Sequence, residues 1–475
     1  MIKNFYQKFN KLGAGQKSAI AFMFASLIQQ GISFLITPLF TRILSTEEFG
    51  VVTVYNSWVE MIGTVAMLSL SSGIFNVGMV DFEDERDSFT SALLGLSNVA
   101  TILTMILFLA GSILFPSVIS MPKSLYILML IYFIFYPATR FWTARQRYEY
   151  KYKKLTIITI LSAILSPLVG LIAVLSLNGN LGVVRLWGTN SVIIIVGIIF
   201  YIRTVQKCPQ IIDKNIWVYA LKFSIPLLPH YMAMHILATS DRVMIQSMIG
   251  NAEAGLYGLA YTASMIICVA WTAIQGSLTP YVYEQLKKDE LDKIAPVAIP
   301  CIVLFSVLCF VVVLVAPEFM LVLGGEKYQA STMVIPPLIA AVLFMEMYNL
   351  FSMIEFYHKK TLKIMFATLL AAVINVVMNY FAIKHFGYVA AAYTTLICYI
   401  IYCIFHYLNM KSIEPRKIYH GAFLVVYSII YVLACLLCLP LYKHTLVRFA
   451  ILVLIVIILL INRNKIIKLI NRKNG

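Results

Sequence analysis

Apolar runs of 18 residues or more recur along the whole of this chain. As a helix, each is long enough to cross a hydrocarbon core of about 30 Å. In lipid a segment must satisfy its own backbone amides, so a chain built of such runs has few folds open to it. Of its 475 residues, 61% are hydrophobic and 12% charged, against about 25% charged in soluble domains. The expectation is an all-α polytopic membrane protein with no stretch left for a separate soluble domain.

About fourteen transmembrane helices are expected, near 18–41, 50–72, 90–115, 124–143, 155–177, 182–202, 217–239, 254–279, 295–316, 331–354, 362–384, 388–409, 419–440 and 444–462. Lys and Arg set the orientation. With both termini cytoplasmic, only Arg42, Lys123, Arg185, Arg242, Lys327, Lys384, Lys443 and Arg448 of the 37 basic residues fall at external corners. The reverse orientation would invert that bias. The net charge of +16 therefore reflects topology, and no nucleic-acid motif accompanies it. The eight cysteines show no metal spacing, and Cys435 and Cys438 lie inside an apolar run where packing accounts for them. Residues 1–17 are read as an interfacial amphipathic segment and not a secretion signal, with Phe5, Phe9 and Leu12 on one face between lysines.

An internal echo divides the chain. Ser45-Thr46-Glu47-Glu48-Phe49-Gly50-Val51 aligns with Gly250-Asn251-Ala252-Glu253-Ala254-Gly255-Leu256. Proline-containing apolar runs precede both, with Pro38 in the first and Pro226 and Pro229 in the second. A repeat of this period suggests duplicated halves of one orientation, related by a pseudo-two-fold axis along the membrane normal. The expected layout is an N-lobe over 18–205, a cytoplasmic linker at 206–216, a C-lobe over 217–410, and two further helices with a basic tail over 411–475.

The stretches TPLFTRILSTEEFGVVTVY at the first corner, and FSIPLLPHYM with SDRVMIQSMIGNAEAGLYGLAYT at the second, resemble the polysaccharide-exporting branch of the multidrug/oligosaccharidyl-lipid/polysaccharide (MOP) transporter superfamily. The resemblance runs the full length, as twelve paired helices plus two. It implies a flippase for undecaprenyl-diphosphate-linked repeat units of O-antigen, capsule or related glycans in the bacterial cytoplasmic membrane. Its partners would be membrane lipids and the glycosyltransferases and polymerase of the same pathway. No G-x-x-x-x-G-K-[ST] is present, so energy would come from an ion gradient or the membrane potential.

Charges at bilayer depth are expensive and tend to be functional, so they supply the candidates. Arg42, Arg140, Arg145 and Arg242 are candidate diphosphate ligands, since a guanidinium binds phosphate in a fork; for Arg42 and Arg242 an anchor reaching to headgroups competes evenly. Glu60 and Glu346 fall mid-span and are read as cavity groups that pair with an arginine or carry a proton. His230 and His235 are buried neutral histidines or proton carriers. Trp271 and Gln275 are candidate sugar contacts. Glu284 and Glu355 are read as solvated helix ends.

A second constellation comprises Asp241, Asn375, Asn379, Thr394 and Thr395. The resemblance implies a sodium site here, with helices 7, 11 and 12 contributing. The second span-11 position is typically an acid in those relatives and is Asn379 here, which lowers the site charge. Interhelical amide hydrogen bonds explain the same residues. No cofactor is expected beyond Na⁺ or H⁺ as coupling ion. Two other functions stay open: a drug/cation antiporter of the same superfamily, and a membrane glycan polymerase, which the short external corners disfavour.

Overall fold

The computed structural model describes residues 13–463, which are helices and connections without a β-strand. Residues 1–12 of the expected interfacial segment and the tail from 464 lie outside them, and residues 14–17 open the first helix. By length and composition, 11 helices can cross a membrane, and the apolar helix Thr445–Ile461 is shorter. Helices also stand at the expected second and seventh spans, Thr46–Ala66 and Lys214–Met248, but neither is among the 11. The second is diluted by Tyr55, Asn56, Ser57 and Glu60, the seventh by Lys222, His230, His235 and Asp241. Among the described residues helix therefore stands at each expected span, in two pieces at 254–279, while 11 helices meet both the length and the hydropathy of a span.

The chain divides into two compact units, residues 1–255 and 256–475. In the first, α1 (Ala14–Ile43), α2 (Thr46–Ala66), α3 (Ile74–Asp81), α4 (Arg86–Leu114), α5 (Lys123–Tyr148), α6 (Tyr152–Ser176), α7 (Leu181–Lys207) and α8 (Lys214–Met248) follow in order. Helix α1 leans on α6, α6 on α7, α7 on α5, and α2 on both α4 and α8. Helix α8, at the expected seventh span, thus packs with the first unit, whose division from the next falls beyond the 206–216 connection. One core gathers Phe40, Leu44, Tyr55, Leu128, Met129, Phe133 and Leu186. A second gathers Phe75, Phe89, Phe141 and Phe200, where Phe75 stacks on Phe141 at 5.1 Å.

The expected span 50–72 is not one helix. Helix α2 stops at Ala66, Leu68 and Ser69 take positive φ of 49° and 48°, and α3 begins at Ile74. The run Leu68-Ser-Leu-Ser-Ser-Gly73 explains the break, because serine hydroxyls compete for backbone groups and glycine costs helix entropy.

The corner at Ser45 is a capping box, legible as S-x-x-E. Ser45 Oγ accepts from Glu48 N at 3.2 Å, and Glu48 Oε2 accepts from Ser45 N at 2.9 Å. Its other oxygen, Oε1, accepts from Leu181 N at 3.0 Å, so one carboxylate holds two helix N-termini, where negative charge is favoured. Glu48→Ala is expected to cost about 1–2 kcal/mol, read as a lowered unfolding midpoint in detergent, with Glu48→Gln falling between.

Helix α9 (Asn251–Met265) carries the second copy of this corner, and the two copies touch reciprocally. A Cβ added at Gly50 would lie 2.6 Å from the carbonyl carbon of Asn251 and closer still to its oxygen. One added at Gly255 would lie 2.9 Å from Gly50 N and closer still to Thr46 O. Thr46 corresponds to Asn251 in the repeat, and Gly50 to Gly255. Residue-for-residue exchange of this kind is what a local two-fold axis produces.

The second unit contains most of α9, then α10 (Cys268–Lys288), α11 (Ala295–Leu314), α12 (Ala316–Gly324), α13 (Ile335–Tyr357), α14 (Thr361–Phe386), α15 (Ala390–Ile413), α16 (Gly421–Leu441) and α17 (Thr445–Ile461). Helix α13 is its hub, packed on α15, α11, α16 and α10, and its apolar window is 83% buried. Cys435 and Cys438 are buried free thiols, in keeping with packing.

Candidate functional site: an arginine-lined cavity in the first unit

Helices α1, α2, α5, α6 and α7 enclose a cavity of about 620 Å³. Ser26, Gln29 and Ser33 line it from α1, Asn56 from α2, Thr139, Arg140, Thr143 and Arg147 from α5, Ser162 and Ser166 from α6, and Arg185, Thr189 and Asn190 from α7. Arg140, Thr143 and Arg147 recur at helical spacing, which places them on one face of α5. Three guanidinium groups line the cavity and no carboxylate does. Aromatic faces position two of them: Arg147 lies 3.6 Å from the Phe22 ring centroid and Arg185 lies 3.9 Å from that of Phe40. Stacking on a ring fixes the plane of each of these guanidinium groups. The third, Arg140, is exposed, with Nε 3.5 Å from Ser71 Oγ in the unwound segment after α2. The cavity therefore suits an anion with several oxygens and a hydroxyl-rich attachment.

A basic bowl of about 720 Å³ adjoins it, with Trp142 and Ile158 lining both. Arg145, Lys151, Lys153, Lys154, Arg203 and Lys207 face Asp87 and Glu149 there. Here Arg145 is spent on carboxylates: it pairs with Asp87 and, at 2.7 Å, with Glu149. Burial pushes the Glu149 carboxyl up, but Arg145 and Lys151 outweigh it and hold the group below its usual range. Arg145 thus stands next to the cavity that Arg140 lines, already neutralised.

The other expected residues are distributed. Arg42 is exposed at the last turn of α1. Glu60 and His235 meet across α2 and α8 at 4.0 Å, each about half exposed. The Nδ1 of His230 is buried without a hydrogen-bond partner. Asp241 and Arg242 are buried, and Asp241 Oδ1 accepts from Arg242 N at 2.8 Å. In the second unit Glu346 is buried and accepts from Asn349 Nδ2 at 2.8 Å. Trp271 is 2% exposed and its ring sits 5.2 Å from Phe305, so no face is left open to a sugar in this conformation. Gln275 is partly exposed.

Asn375, Asn379 and Thr394 do come together. Asn379 donates to Asn375 Oδ1 at 3.1 Å, and Thr394 Oγ1 donates to Asn379 Oδ1. Thr395 Oγ1 is buried without a partner, and Asp241 belongs to the other unit. Asn375 and Asn379 thus bond within α14, and Thr394 joins them from α15. Among the described residues no cluster of three or more His, Cys, Asp or Glu is placed to hold a metal ion.

Sequence reasoning missed some partnerships. Arg185, counted at an external corner, and Arg147 line the cavity. Arg448, also counted at an external corner, is buried. Glu355 read as a solvated helix end and is 0% exposed. The hint at Arg185 was Thr189 and Asn190 one turn on, a polar stripe in an apolar run.

An apolar groove of about 330 Å³ lies in the second unit between α13, α15 and α16, lined by Phe344, Phe351, Ile404, Leu424, Val425 and Leu433 among others.

The many-helix fold is shared with solved transporters. A multidrug resistance MATE family transporter of the MOP superfamily, in its inward-facing conformation, superposes with a TM-score of 0.58 over 83% of this chain and 96% of its own, at 11% identity. The lipid II flippase MurJ, in an inward closed conformation, gives 0.65 over 94% of this chain and 99% of its own, at 14% identity. At such identities the likeness is one of fold. The sequence model described as "polysaccharide biosynthesis protein" matches residues 16–286, more than half of the chain, and the chain belongs to that family. It is also 30% identical over 73 residues to "Lsg locus putative protein 1" of Haemophilus influenzae, a match spanning 18% of that protein's length and 15% of this chain.

Proposed function

We propose that this chain is a flippase that carries an undecaprenyl-diphosphate-linked oligosaccharide from the cytoplasmic to the outer leaflet of a bacterial cytoplasmic membrane. The observation that carries this reading is the 620 Å³ cavity with three arginines and no carboxylate, in a member of a polysaccharide biosynthesis family. A diphosphate needs cations in a protected space, and arginine forks supply them. The serine, threonine and asparagine side chains around them suit sugar hydroxyls. An apolar groove such as that between α13, α15 and α16 suits a polyprenyl tail that stays in lipid. No covalent bond changes, so the chain acts as a transporter and the glycan leaves as it came. Glycosyltransferases that make the repeat unit and a polymerase that joins it are the pathway partners this activity requires.

The drug/cation antiporter reading fares worse, because a cation entering a cavity whose charged side chains are all arginines meets like charge. Liposomes holding the purified chain and a fluorescently labelled polyprenyl-diphosphate oligosaccharide provide the test. Protein-dependent exposure of the glycan on the far leaflet is expected, and none would end the proposal. Arg140→Ala should weaken apparent affinity about 10–100-fold, the loss of one charge-assisted hydrogen-bond pair of roughly 1.5–3 kcal/mol. Arg140→Lys should recover only part, as a point charge cannot make the fork.

A further inference from the structure

The second unit buries an acid against a base. Glu355 on α13 and His406 on α15 are both 0% exposed, with Oε2 and Nδ1 2.8 Å apart. Asn409 Nδ2 donates to the other oxygen, Oε1, at 2.8 Å. No lysine or arginine pairs with this carboxylate among the described residues. Tyr402 on α15 and Tyr348 on α13 stand with ring centroids 4.5 Å and 5.3 Å from the imidazole. Thr368 of α14 shares a hydrogen bond with the Tyr402 hydroxyl. Lys360 reaches Glu355 only through its backbone N–H, at 3.0 Å, and its side chain is exposed. Glu346, on the same helix, is bonded to Asn349.

Two polar atoms in this cluster have no hydrogen-bond partner: His406 Nε2 and Asn409 Oδ1. With Nδ1–H donating to Glu355, the open Nε2 lone pair can take a proton. With the carboxylate ionised and the imidazole neutral, Nδ1–H donates to Glu355 and the buried pair carries one negative charge. Binding one proton from water makes the pair neutral overall, whichever of the two holds it. Buried charge without compensation is costly, so any motion that changes access to the pair changes its proton affinity, and by linkage a bound proton biases the motion in return.

We propose that Glu355 and His406 form a single-proton binding site of the second unit and supply the coupling ion's seat. The coupling role rests on the transport reading above; the binding itself does not.

Infrared difference spectra of the full chain in detergent, recorded through a pH titration, test it directly. A protonated-carboxyl or imidazolium band that titrates is expected, absent from both Glu355→Gln and His406→Gln and retained in Glu284→Gln, whose side chain is 57% exposed. Histidine isotope labelling of the unmodified chain gives the same reading should either variant fail to fold. A dyad that keeps one protonation state wherever the protein stays folded, or a titrating band unchanged in both variants, overturns the proposal. In liposomes, a pH gradient should raise flux of the labelled lipid-linked glycan several-fold with the unmodified chain and not with Glu355→Gln. A titrating dyad with no flux would sustain the proton site and sink the transport reading. Gradient-driven flux past a silent dyad would do the reverse.

Discussion

Gly50→Ala and Gly255→Ala are each expected to leave little folded protein. At Gly50 the new methyl would press on the Asn251 carbonyl, at Gly255 on the Thr46 carbonyl and the Gly50 amide. These obstacles are backbone, held by the starts of two helices, and cannot swing aside as a side chain can. Overpacking a close-packed region costs about 1–3 kcal/mol when side chains yield, so about 3 kcal/mol or more is expected here. Because the contact is reciprocal, the double substitution should cost less than the two single costs added, since one displacement of α2 from α9 relieves both clashes. The yield of monodisperse protein in detergent and the unfolding midpoint are the measurements. Gly276→Ala is the control: nothing lies within 4 Å of its added Cβ, and alanine in a helix interior is favoured by up to about 1 kcal/mol. If Gly50→Ala behaves like Gly276→Ala, the corners do not meet as described.

The second large effect is expected at Glu318. Arg448 is 2% exposed and its two terminal nitrogens each lie 2.7 Å from a Glu318 oxygen. Its Nη1 also donates to Leu314 O at 2.6 Å. Glu318→Ala strands that guanidinium in a dry site. Breaking a buried pair from one side costs about 3–5 kcal/mol, and the 39% exposure of Glu318 reduces this to about 2–3 kcal/mol. Arg448→Met should be milder, because Glu318 can be hydrated where it stands. Hydrogen bonds from Arg448 hold the Glu318 carboxyl below its usual range. A depressed carboxylate contributes stability above its unfolded pKa and loses it as pH falls through the folded value. The unmodified chain should therefore lose stability below about pH 4, and Glu318→Gln should flatten that acid limb. Thermal unfolding across a pH series checks both.

Several parts of this molecule were open to reading in the one-dimensional chain because they are local or periodic. Hydrophobic runs of spanning length specify helices, since lipid leaves backbone amides no outside partner. Ser45 and Glu48 announce a capping box at a spacing of three, and the Gly50/Gly255 echo announces an internal repeat. Arg140 was singled out because a charge at bilayer depth in an apolar run has to be explained.

What needed tertiary structure is partnership. Arg140, Arg147 and Arg185 are equally basic in sequence to Arg145 and Arg448, yet the first three share a cavity without a carboxylate, Arg145 pairs with Asp87 and nearby Glu149, and Arg448 pairs with distant Glu318. Glu355 sits two residues from a helix end, which reads as solvent contact until α15 covers it with His406 and Asn409. The reciprocal seating of Gly50 and Gly255 is likewise invisible in the repeat that predicts their likeness. Periodicity and capping depend on neighbours a few residues apart, so the amino-acid order suffices for them. Whether a charge binds a ligand, a counter-charge or a proton depends on which helix packs across from it, and only the folded chain decides that.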